Sequence, residues 1–72
     1  MYLNELRIGD IKTIKNIKSK LKKRLLDIGM VEGSNIECVL KSNGIKGYLI
    51  KGAVIAIRDE DCKEILVVWK LL

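Results

Sequence analysis

Residues 23–34, KRLLDIGMVEGS, constrain this chain more than any other stretch: they hold the end of its one clear helical pattern and the entry into β-structure. Leu21, Leu25 and Ile28 recur at i, i+4 and i+7, with Leu26 widening the stripe, so an amphipathic helix is predicted over about 20–28. Ser19 stands where a side-chain oxygen can cap the first free backbone donors. Lys22, Lys23 and Asp27 fall on the solvent side. Gly29 then offers the left-handed conformation that commonly closes a helix. Met30 and Val31 are expected to fold back on the core, and Glu32-Gly33 to turn the chain into a strand.

Both flanks read as β-structure. Leu3 and Leu6 tuck under the domain, Gly9 turns the chain, and Ile11, Thr13, Ile14 and Ile17 predict a strand with its lysines outward. The apolar spacing changes phase within that strand, which predicts a bulge or a sharp bend. From Ser34 to Lys41 the alternation is clean, with Ile36, Cys38 and Leu40 on one face and Glu37, Val39 and Lys41 on the other. Asn43-Gly44 signals a tight hairpin into a strand that Gly47 interrupts. Gly52 permits another close turn, and Ala53 to Arg58 forms a further strand with Ile55 and Ile57 on one face. Asp59, Glu60 and Asp61 read as the cap of a short helical turn, and Glu64 to Trp69 as the last strand. The pattern predicts a mostly β fold, a small barrel of about five strands with one inserted α-helix, forming one domain over residues 1–72.

Size and composition narrow the function. A chain of 72 residues buries only about 60% of the surface its unfolded form exposes, which leaves little room for a deep substrate cavity. No apolar run approaches the roughly 18 residues of a membrane span, and MYLNELRIGD lacks the pattern of a secretory signal, so a cytoplasmic location is expected. There is no histidine, and Cys38 and Cys62 lack metal-ligand spacing; they are expected to be small buried residues. No phosphate-binding glycine loop occurs. No catalytic residue, metal site, cofactor or small-molecule substrate is expected.

The net charge of +5 is unevenly spread: seven basic residues and no acidic one lie between Lys12 and Arg24. Such a segment suits an acidic protein surface, a nucleic-acid backbone or anionic lipid headgroups, and equally a solvated face.

Arg24-Leu25-x-x-Ile28-Gly29-x-x-x-Gly33-Ser34-x-Ile36, preceded by Leu3-x-x-Leu6-x-x-Gly9-Asp10, resembles the FeoA family. So does Gly52-x-x-Ile55-Ala56-Ile57-Arg58, followed by Ile65-x-Val67. The resemblance runs from about Leu3 to Val68 and implies a small cytoplasmic SH3-like β-barrel. It also implies an accessory role in bacterial ferrous-iron uptake, through contact with the cytoplasmic part of FeoB, the transporter that carries a G-protein domain. Similar domains form the C-terminal part of metal-dependent repressors, but no DNA-binding helix pair is present here. The sequence departs from the family where Thr13 or Lys12 replaces a second glycine, and where the loop from Ser42 to Gly47 lacks a proline.

The leading expectation is therefore a protein-interaction module, with Lys20, Lys23, Arg24, Met30, Arg58 and Trp69 as candidate contacts. The alternative is a basic small barrel that binds nucleic acid. The Lys12–Arg24 segment has no aromatic residue on which bases could stack, which counts against it. Stimulation of a partner's GTP hydrolysis would call on Arg24 or Arg58. Direct Fe²⁺ sensing would rest on carboxylates or two scattered thiols. The apolar end, Val68 to Leu72, either completes the core or supports weak self-association; Val68 is assigned to the core, Trp69 and Leu71 to contacts.

Overall fold

The computed structural model describes residues 1–27 and 29–69, apart from the side chain of Ser19. The expected stripe residue Ile28, the cap role of the Ser19 side chain, and Lys70, Leu71 and Leu72 lie outside what is described. A 3₁₀ turn, Leu3–Glu5, leads to β1 (Ile11–Ile17), α1 (Ser19–Asp27), β2 (Asn35–Ser42), β3 (Ile45–Ile50), β4 (Ala53–Arg58), a single helical turn α2 (Asp59–Cys62) and β5 (Ile65–Trp69). The strands form one antiparallel sheet in the order β4-β3-β2-β1-β5, which wraps into an SH3-like small barrel. Among the described residues, no helix is long and apolar enough to cross a membrane.

The predicted phase change in β1 is a register shift against β5 between Ile14 and Asn16. It carries the inward positions from Ile14 to Ile17, both buried. The expectation that the lysines of this strand point outward fails at Lys12, which is only 4% exposed. Lys12 lies opposite Trp69 in the ladder, and its Nζ sits 3.3 Å from the centroid of the indole. The ring face compensates the charge that the strand phase turns inward.

A second shift, between Cys38 and Leu40, breaks the alternation predicted for β2. Ile36 and Cys38 are buried, but Leu40 emerges on the outer face at 54% exposure. Leu40 covers Gly47, where an added Cβ would stand 3.0 Å from the leucine Cβ. The glycine that weakens β3 on propensity grounds thus makes room for a neighbouring strand's side chain.

The core gathers Leu3 and Leu6, alternate residues of the strands, and two residues of α1, Leu21 and Leu25. Leu26 does not widen the buried stripe; it is 56% exposed. Tyr48 is the largest fully buried side chain, and its hydroxyl donates to the Leu3 carbonyl at 3.2 Å and meets Cys62 Sγ at 3.4 Å. At the C-terminal end Val67 is buried, while Val68, assigned to the core from the sequence, is half-buried.

Candidate functional site

The geometry of the site begins with the way α1 stops. Gly29 has φ +88°, its N–H donates to the Leu26 carbonyl at 3.0 Å, and the Met30 N–H reaches back to the Leu25 carbonyl at 3.0 Å. This is a Schellman closure, in which the residue after the left-handed glycine packs on the last turn. Met30 is accordingly fully buried, and Leu25 on the last turn is 4% exposed. Met30 is therefore a core residue and not a contact residue: the same cap that ends the helix carries it inward.

With α1 fixed, its Leu21–Leu25 edge faces the end of β4 and the turn of α2. Two adjoining hollows of about 450 and 470 Å³ lie between them and share Arg24, Arg58 and Asp61. The first is floored by Leu25, Ala56 and Ile57; the second extends along Lys20 and Leu21 to Glu60 and Glu64. Three of the sequence-predicted contacts, Lys20, Arg24 and Arg58, thus meet in one groove. Lys23 and Trp69 do not line it.

Asp61 is the centre of this groove, and the sequence misread it as a cap. The residue at the cap position of α2 is Arg58, with no side-chain capping bond. The Asp61 side chain, 14% exposed, instead accepts from Arg24 Nη2 at 3.0 Å and from Arg58 Nη2 at 3.4 Å. Arg58 also reaches Glu60 at 3.3 Å, and Asp59 pairs with Lys46. The readable signal was the i, i+3 spacing of Arg58 and Asp61; the long-range approach of Arg24 had none. A guanidinium carries five N–H donors, so Arg24 and Arg58 keep hydrogen-bonding capacity beyond their bonds to Asp61 and Glu60.

The basic segment is less free than its sequence suggests. Lys18 and Lys20 converge on Glu64 at 3.2 and 3.3 Å, and Lys22 meets Glu32 at 3.4 Å. Hydrogen bonds from Lys18 and then Lys20 hold the Glu64 carboxyl below its ordinary value. A carboxylate depressed in the folded state contributes its stability in full above its unfolded-state value, and loses it as pH falls through the folded one. The stability gap between wild type and Glu64→Gln, from urea titrations, is therefore expected to be constant near neutrality and to close as pH drops below the ordinary carboxylate range. A gap unchanged at acid pH would contradict the ion-pair role.

Burial pushes both the Cys38 and Cys62 thiols up, so neither is a ready thiolate nucleophile or ligand at neutral pH. Among the described residues, no group of three or more Cys, Asp or Glu side chains is arranged to hold a metal ion. An apolar floor beneath paired arginines suits a partner segment that brings both apolar and carboxylate groups.

The fold and groove define an SH3-like small barrel with a charged cleft beside its helix. A family model described as the FeoA domain matches residues 1–68, and the chain belongs to the FeoA family. The structure is similar to an FeoA protein from Chlorobium tepidum, with a TM-score of 0.85 at 23% identity over 96% of this chain and 70% of that one. An FeoA-like protein from Clostridium acetobutylicum gives 0.85 at 26% identity, covering 100% of this chain and 88% of that one. Iron(II) transport protein A from Clostridium thermocellum gives 0.85 at 27% identity, covering 96% and 45%. A manganese-dependent transcriptional repressor shares the fold, with a TM-score of 0.88 at 20% identity; the chain covers 41% of that protein. No sequence among curated proteins matches significantly.

Proposed function

We propose that this protein is a cytoplasmic accessory of ferrous-iron uptake that docks on the cytoplasmic part of FeoB through the groove between α1 and β4. The observation that carries this reading is the convergence of Arg24 and Arg58 on Asp61 above Leu25, Ala56 and Ile57. Family membership supports the iron-uptake context, as does the likeness to an iron(II) transport protein. The role is recognition, and iron is the transporter's cargo.

An apolar floor with a charged rim divides the labour of binding: the rim steers encounter and the floor supplies affinity. Calorimetric titration of FeoB's cytoplasmic domain with this protein tests the reading. Binding is expected at low salt, and screening should weaken it as ionic strength rises past physiological values. Absence of heat at both low and high salt, with direct mixing at high concentration, would reject direct partnership. The ion pairs that occupy Lys18, Lys20, Lys22 and Arg24 weigh against the nucleic-acid alternative, since phosphate contacts would compete with them.

A further inference from the structure

The helical turn α2 carries three consecutive carboxylates, and the fold treats each differently. Asp59 pairs with Lys46, Glu60 with Arg58, and Asp61 with both Arg24 and Arg58. Successive residues of a helix point about 100° apart, so neighbours do not share one environment. With Cys62 buried in the core, the Asp61 side chain falls inside the groove at 14% exposure, while that of Glu60 stands out at 72%.

That difference sets how firmly each is held. Asp61 accepts from Arg24 Nη2 at 3.0 Å and from Nε and Nη2 of Arg58 at 3.4 Å each. Glu60 meets Arg58 Nη1 at 3.3 Å, and both of those side chains are exposed. An exposed pair contributes little, because water and salt screen it and two long side chains must be held still. Asp61 is thus a fixed part of the groove, and Glu60 is exchangeable.

Charge identifies what exchanges with it. In the hollow floored by Leu25, Ala56 and Ile57, Arg24 and Arg58 bring two positive charges and Asp61 one negative, so one positive charge is left over. Glu60 cancels that remainder from the adjoining hollow. We propose that Glu60 is a placeholder: in the free protein it occupies Arg58, and a carboxylate that the docking partner carries beside an apolar side chain displaces it. The proposal rests on the groove being the docking surface. The exchange leaves the charge of the site unchanged, and the apolar neighbour supplies the contact with the floor that Glu60 lacks. Asp61 stays in place as a positioning residue and keeps both guanidiniums arranged for the incoming group.

The same change of charge on two adjacent residues is therefore expected to act in opposite directions. The probe is N-acetyl-leucine, a carboxylate beside an apolar side chain, with N-acetyl-leucinamide as its neutral counterpart. Each is titrated at constant ionic strength while the Arg58 Nε–Hε resonance is followed. The acid and not the amide is expected to move that resonance. Glu60→Gln should tighten binding of the acid about two- to fivefold, and Asp61→Asn should weaken it. Asp27→Asn removes the same charge from an exposed position of α1 outside both hollows and should change little. An Arg58 resonance that ignores the acid overturns the proposal, as does equal binding by wild type and Glu60→Gln. So does tightening by all three variants alike, which is the mark of overall charge. The same variants titrated with FeoB's cytoplasmic domain separate the two readings. If FeoB binds none of them while the acid response holds, docking on FeoB falls and the placeholder stands. If FeoB binds wild type and Glu60→Gln equally, the placeholder falls and docking stands.

Discussion

Tyr48→Ala is expected to destabilise the domain by about 3–5 kcal/mol, the range for removing a large aromatic from a close-packed interior. A core of this size supplies about the same amount in total, so the variant should be largely unfolded at room temperature. The reason is position as well as volume. Tyr48 is fully buried on β3, between β4 and β2, and its hydroxyl ties the N-terminal 3₁₀ turn and α2 to that strand through Leu3 and Cys62. Burial pushes the phenol's pKa far up, so it remains a donor around neutral pH. Tyr48→Phe separates the two contributions. It keeps the ring, leaves the Leu3 carbonyl without its donor, and is expected to cost about 1–3 kcal/mol. Urea midpoints for wild type and the two variants should fall in that order. Equal losses for both substitutions would mean that the hydroxyl, not the ring, carries the packing.

Replacing Arg24 and Arg58 together by glutamine is expected to weaken association with FeoB's cytoplasmic domain at least about tenfold, with a loss of fold stability of about 1–3 kcal/mol from the Asp61 carboxylate left without its partners. Both side chains are about 60% exposed, at 60% and 59%, so their loss removes rim contacts and not core packing. Asp61 becomes the uncompensated group, and its remaining exposure lets water take over part of its solvation. Lys23→Gln is the matched control. It removes a positive charge from the same helix outside the groove and should change affinity only slightly. If Lys23→Gln weakens binding as much as the arginine pair, total charge rather than the groove governs the encounter.

How far the sequence reaches depends on the range of the interactions involved. The glycine stops, the two hairpins, the β1 bulge and the succession of elements along the chain are set within a few residues, and they were legible. The motif glycines and leucines likewise pointed to the FeoA family that residues 1–68 match. What local pattern could not carry was cross-strand placement. Leu40 leaves the core because β2 slips against β3, and Lys12 is buried beside the ring of Trp69, 57 positions on in the chain. Met30 lost its place among the contacts for a local reason that was available: the residue following a left-handed cap packs inward. Asp61 was the opposite case, since its bond to Arg24 spans 37 residues and only the fold brings the two together.

The most direct test of the groove as the docking surface is a titration of isotope-labelled protein with unlabelled FeoB cytoplasmic domain, followed by amide and methyl chemical shifts. The largest changes are expected at Leu21, Arg24, Leu25, Ala56, Ile57, Arg58 and Asp61, with Lys23 and the Leu40–Val54 face unaffected. Changes centred on that outer face or on Trp69, with the groove silent, would contradict it.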